Sequence, residues 1–277
     1  MFADDIKVFC DVSTSFGTAA LQQSLINIVN WCQNNSMELN VQKCVVASFK
    51  RGVGALQHNY ILHDDCVLRR IDIIRDLGVI MTPSLSPSEH IAHCTSRASS
   101  LLGFIFRSTR SFNSPMPIAS LFKSLVRPIL EYGSVIWSPY QLNHKAQLQY
   151  VQNRFIKMLG PRLGFSYRTT PGSDVESHFG FLPLHLRRHH ANILFLFKLL
   201  NGLVDCPELL SSIDICVTRG LRSMTIFRRR LNTTNYSHFS GMSRLMRAGG
   251  VASTHLDFFN ESVLSFRRKV SALCVVT

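Results

Sequence analysis

The sequence has no Cys-x-x-Cys pair, little acid and no long apolar run, and each absence excludes a class of protein. Its eight cysteines are scattered between Cys10 and Cys274. That spacing excludes a zinc ribbon or a dense disulfide scaffold and suits buried or free thiols in a reducing compartment. The most apolar stretch, residues 191–200, is about half of the roughly 20 residues that a membrane span requires, and Lys198 interrupts it. Met1-Phe2-Ala3-Asp4-Asp5 carries acids where a secretory signal carries a basic and then an apolar stretch. A soluble intracellular protein with no membrane partner is expected, in nucleus or cytoplasm. Charged residues make up 17% of the 277 and hydrophobic residues 46%, a balance that excludes a disordered chain and leaves enough for one large domain or two ordinary ones.

What charge there is leans one way. The net charge is +13, which points to a polyanionic partner. Residues 1–90 hold seven basic and nine acidic residues, whereas residues 91–277 hold twenty-three and eight. An acidic first third and a basic remainder suggest two jobs.

Periodicity separates the same two regions. Residues 2–9 read as two short strand pieces around a turn at Asp4-Asp5, and residues 45–49, 60–62, 67–71 and 78–81 as short strands, with a hairpin turn at residues 63–65. Between them, residues 18–32 form an amphipathic helix with Leu21, Leu25, Ile28, Val29 and Cys32 on one face, stopped by Asn34-Asn35-Ser36. From Ser86-Pro87-Ser88-Glu89, a capping box, the pattern becomes helical. Ile91, Ala98, Leu102 and Ile105 give the inward stripe of the next helix. Residues 118–132 follow, with a kink at Pro128, and then residues 144–159 with Leu148, Val151, Phe155 and Leu159 inward. Residues 160–182 look like a linker, residues 184–200 a helix stopped by Asn201-Gly202, residues 215–253 mostly loop, and residues 254–273 a last helix with Phe259, Val263, Phe266, Val270 and Leu273 inward. The fold class expected is α+β, with short strands confined to about residues 1–90 and helices beyond.

Asp4 and Asp5 carry the most chemistry. Two carboxylates at a tight strand turn can hold a hard divalent ion through oxygen, and such ions serve phosphoryl transfer. An Asp-Asp pair is also, most often, a solvated turn. The surrounding residues decide between these. Phe2-Ala3-Asp4-Asp5-Ile6-Lys7 resembles the aromatic-Ala-Asp-Asp signature of reverse transcriptases. The downstream order is similar to the non-LTR retrotransposon branch, the RNA-directed DNA polymerase of jockey-type mobile elements. Its pieces are Leu21-Gln22, Trp31-Cys32, Leu39-Asn40 with Lys43, Asp76-Leu77-Gly78-Val79, residues 86–91, Leu130-Glu131-Tyr132-Gly133 with Trp137-Ser138-Pro139, Val151-Gln152 with Arg154-Phe155, and Leu182-Pro183-Leu184 with Arg187-Arg188.

The resemblance implies the C-terminal part of a polymerase palm over residues 1–85, an all-helical thumb over 86–160 and a basic helical C-terminal extension over 161–277. It implies Asp4 and Asp5 as Mg²⁺ ligands, and Lys43 as the acid that protonates departing pyrophosphate. The partners implied are an RNA template, a DNA primer and dNTPs. The family's third metal-binding aspartate and its fingers would precede Met1, so a truncated polymerase, inactive on its own, is expected. The alternative is a non-catalytic, nucleic-acid-binding remnant of a mobile element.

Other clusters read more plainly. His90, His93 and Cys94 lack a second ligand pair and are expected on a helix surface. His185, His189 and His190 with Arg187 and Arg188 are expected to form an exposed basic face. Arg187, Arg188, Arg228, Arg229, Arg230, Arg267, Arg268 and Lys269 are candidate phosphate contacts, alongside Arg244 and Arg247, with Phe227, Tyr236, Phe239 and Phe266 as candidate stacking rings.

Overall fold

The computed structural model describes residues 5–50, 58–63, 66–216, 226–228 and 234–273. Helix and strand are mixed, as the α+β reading expects, and two compact units divide the chain at His90 and Ile91.

In the first unit, helix α1 (Ser15–Asn34) starts at Thr14, whose hydroxyl accepts the Gly17 N–H, and ends at Asn35 as expected. Strands β1 (Val45–Ala47) and β2 (Arg69–Ile71) pair in parallel, and β3 (Ile74–Asp76) and β4 (Val79–Met81) pair antiparallel. Strand β3 was not read from the sequence, because Arg75 and Asp76 hide its half-buried character. An antiparallel bridge, Ile61 with Val67, flanks the turn expected at residues 63–65, of which Asp64 and Asp65 lie outside the described residues. Gln22 closes this bridge onto α1: its side-chain amide accepts from the Ile61 N–H and donates to the Ile61 carbonyl, at 3.0 and 2.7 Å. The strand expected around residue 9 does not form. Residues 6–9 have no strand pairing and are exposed, Phe9 at 93%, and a strand lacking both a ladder partner and a buried face has little to hold it.

The second unit is helical. Helix α2 (Ser88–Ser108) buries Ile91, Ala98, Leu102 and Ile105, the stripe expected of it. Helix α3 (Pro115–Leu121) runs into a π-helical turn, Phe122–Val126, and then α4 (Arg127–Glu131). Pro128 has no N–H, and its ring crowds the carbonyl four residues back. The chain answers by widening, with the Arg127 N–H reaching the Phe122 carbonyl, so the expected kink takes the form of a π-bulge. After the single turn α5 (Ser134–Trp137), helix α6 (Leu142–Leu159) buries Leu148, Val151, Phe155 and Leu159, again as expected. Phe155 stacks on Phe122 at 4.1 Å between ring centroids, and Phe181 packs edge-on against both.

Three expectations are corrected beyond this point. Residues 160–182 are packed structure, not a linker: a 3₁₀ turn, Gly160–Leu163, leads to α7 (Gly172–Phe179), and Val175, Phe179 and Phe181 are buried. These three apolar anchors outweigh the Gly, Pro, Ser and Thr around them. Helix α8 (Leu184–Leu200) follows as expected, and then the short α9 (Pro207–Ser211). Residues 215–253 include α10 (Asn235–Phe239) and α11 (Gly241–Ala252), the latter packed on α8. Gly249 makes the packing of α11 feasible, since a Cβ there would stand 2.3 Å from Leu196 Cδ2. The last helix, α12, is only Val263–Ala272. Asp257 accepts the Phe259 and Asn260 N–H groups and turns the chain ahead of it, so Phe258 enters the core while Phe259 stays half-exposed. Phe258, Phe266 and Val270 join Ile193, Leu196, Phe197 and Phe227 in one apolar cluster.

Candidate functional site

The carboxylate turn is described from its second member on. Asp4 lies outside the described residues; Asp5 is exposed. Two residues later the Lys7 ammonium pairs with the Asp76 carboxylate. Asp76 ends β3, and Leu77 and Gly78 make the two-residue turn into β4 with φ of +44° and +85°. Both central residues are left-handed, the geometry that joins antiparallel strands tightly, and glycine tolerates it better than leucine. The segment after Asp5 is therefore tied to the β3–β4 hairpin. Lys43 stands elsewhere in this unit, its N–H donated to the Asn40 carbonyl at 3.0 Å and to the Asn40 side chain at 3.2 Å, its side chain exposed. Asn40 thus builds the turn that presents Lys43, which accounts for the Asn-x-x-Lys spacing. Among the described residues no ion pair joins Asp5 to Lys43, and no group of three or more His, Cys, Asp or Glu side chains is placed to hold a metal.

Histidine and arginine readings on helix surfaces need correction. His90 is 2% exposed, with Nδ1 accepting the Ile80 N–H at 3.2 Å. Its ring supports β4 and is not on an open helix surface. On α8, Arg188 is 3% exposed. It donates to the Leu130 carbonyl at 3.4 Å, and its guanidinium lies 5.7 Å from the Trp137 ring centroid. Burial pushes its pKa down to about 10, so it remains charged at neutral pH. Arg187 is taken by a two-pronged bond to Glu131, one prong at 2.9 Å. His185, His189 and His190 are pushed below the usual histidine range, chiefly by burial. Of the five residues expected to form an exposed basic face on α8, only His185 is exposed, and Arg187 and Arg188 are occupied within the protein.

Several cations close helix ends instead of facing solvent. Arg162 donates to the Thr109, Arg110 and Phe112 carbonyls just past α2, and Lys123 to the Phe179 carbonyl at the end of α7. Arg244 bonds the Phe239 carbonyl ending α10 at 2.8 Å and the Val135 carbonyl in α5 at 2.6 Å. Terminal carbonyls carry the negative end of the helix dipole and lack intrahelical donors, so a cation satisfies both needs. Part of the basic excess is thus structural, which the total charge could not reveal.

The exposed cations among the phosphate candidates are Arg228, Arg267, Arg268 and Lys269. Lys269 bonds Glu261 at 2.8 Å, leaving the three arginines as the more open phosphate donors. Arg229 and Arg230 lie outside the described residues. Of the candidate stacking rings, Phe227 and Phe266 are buried and are withdrawn; Tyr236 is exposed, and Phe239 stacks on Tyr140, a residue the sequence did not single out. Distant sequence pieces meet around the start of α8: the Gln149 side chain accepts the Leu184 N–H, Gln152 donates to the Leu182 carbonyl, and Glu131 holds Arg187. No helix among the described residues is long and apolar enough to cross a membrane. No family model, curated protein or solved structure matches the chain.

Proposed function

We propose that the chain is part of an RNA-directed DNA polymerase of the non-LTR retrotransposon kind: the end of a palm in residues 1–85, a thumb in 86–160 and a basic extension in 161–277. The observation that carries the reading is the Lys7–Asp76 pair, which ties the segment after Asp4-Asp5 to the Leu77-Gly78 hairpin. Carboxylates that serve phosphoryl transfer must work beside the primer end, and the resemblance assigns that neighbourhood to this hairpin. The meeting of the Glu131, Gln152 and Leu182–Arg187 pieces around α8 supports reading them as one ordered series.

In the complete enzyme Asp4 and Asp5 would hold Mg²⁺, which supplies charge stabilisation in nucleotidyl transfer, and Lys43 would donate a proton to pyrophosphate. Arg228, Arg267 and Arg268 would meet the template–primer backbone. No primer extension by this chain is expected, because the assigned set has two carboxylates where the resemblance implies three. A non-catalytic binding remnant shares the exposed arginines and differs only at the carboxylate turn.

The test uses an RNA template annealed to a DNA primer carrying a photoreactive 3′ nucleotide. Crosslinks to residues 76–79 are expected, with no extension when Mg²⁺ and dNTPs are added. Binding without crosslinks to that hairpin favours the remnant. Failure to bind the hybrid overturns both readings, and incorporation abolished by Asp4→Asn overturns the claim of inactivity.

A further inference from the structure

The geometry points to a stacking platform for unpaired nucleobases on the second unit, formed by Tyr140, Phe239 and Tyr236. Tyr140 and Phe239 lie 4.2 Å apart with their planes 6° from parallel. The Arg247 guanidinium is 5.4 Å from the Phe239 centroid. Tyr140 covers one face of Phe239, and the His238 ring meets Phe239 edge-on with 4.7 Å between centroids. Tyr140 is 41% exposed. Tyr236 lies one turn before Phe239 on α10, on the same side of that helix, and is exposed as well.

The platform is held in advance of any ligand. Arg244 ties the Phe239 carbonyl to the Val135 and Ile136 carbonyls, which fixes α10 beside α5. Little ordering then remains for binding to supply. Ordinary packing does not require two flat rings to be stacked at the surface beside a cation. A base can use them, because its π-face continues the stack whatever its sequence. The occupant is therefore a single strand, RNA or DNA, and not the paired duplex whose bases are already stacked. This deepens the proposed function and rests on it for the setting, though its chemistry is separable.

The test compares a labelled oligothymidylate with an abasic strand of equal length and charge, by fluorescence anisotropy with the whole chain. Stacking on one to two rings predicts about fivefold or greater preference for the base-bearing strand. Tyr140→Leu should lower its affinity to the abasic level, Tyr140→Phe should retain the preference, and Arg267→Gln with Arg268→Gln should weaken both strands alike. The wild-type comparison needs no variant, so it decides even if Tyr140→Leu does not fold. Equal binding of the two strands, with a hybrid duplex still bound, overturns the platform and leaves the proposed function standing. Binding of neither strand nor hybrid overturns both.

Discussion

Arg187-Arg188 on α8 and Arg267-Arg268-Lys269 on α12 are alike in composition and opposite in fate. Arg188 falls on the stripe Leu184, Arg188, Asn192, Leu196, Leu199, each position buried. On α12 the buried pair is Phe266 and Val270, four apart, and the three cations occupy the positions between. Position relative to the apolar stripe, not local charge density, decides whether a cation builds the fold or faces solvent. A buried cation must then find a carbonyl, a carboxylate or a ring, and Arg188 finds the Leu130 carbonyl and Trp137.

The sharpest way to break this contrast is to truncate one member of each group. Arg188→Ala should cost about 2–4 kcal/mol, because it leaves the Leu130 carbonyl without its donor and a cavity beside Trp137. Thermal unfolding measures it; a change under about 0.5 kcal/mol would place Arg188 with the exposed group. Gly249→Val should cost about 1–3 kcal/mol by driving α11 away from Leu196 and Phe227. The same denaturation series checks it, and a neutral result would show that the close α8–α11 approach is slack.

Acid should distinguish the regions next. His185, His189 and His190 bind protons less readily folded than unfolded. The unfolded chain therefore takes up more protons as pH falls below about 6.5. Stability of the second unit should be fullest above that pH and decline below it. Urea midpoints at about pH 7.5 and about pH 5.5 read the effect, and a higher midpoint at the lower pH would contradict the lowered proton affinity of these rings. The smallest effect belongs to α12: Arg267→Gln with Arg268→Gln should change stability by no more than about 0.5 kcal/mol.

These contrasts also mark what the sequence made legible. Long stripes such as Ile91–Ala98–Leu102–Ile105 and Leu148–Val151–Phe155–Leu159 placed α2 and α6, because side-chain burial at helical spacing is a local signal. Helix α11 is hidden in the sequence because residues 215–253 are basic and rich in Ser and Asn with no clear period, although close helix packing calls for glycine at position 249. Strand β3 is hidden because Arg75 and Asp76 mask the half-buried character of its three residues. Arg188 was misplaced because a charge was weighed by its neighbours in sequence and not by the stripe through Leu184 and Leu196. Lys7–Asp76 and Tyr140–Phe239 join residues about 70 and 100 positions apart, and no local pattern encodes such pairs.

Under the proposed function the exposed arginines meet a nucleic-acid backbone while the buried ones serve the fold. This is tested most directly by titrating salt against binding of a fluorescent RNA–DNA hybrid, for the wild type and for the chain with Arg228, Arg267 and Arg268 all changed to Gln. Each phosphate no longer neutralised should lower the slope of log affinity against log salt by about 0.9. The account predicts steep salt dependence in the wild type, and in the variant weaker binding with a slope flatter by about 2–3 and unfolding unchanged. Equal affinity and equal slope in the two proteins would contradict it.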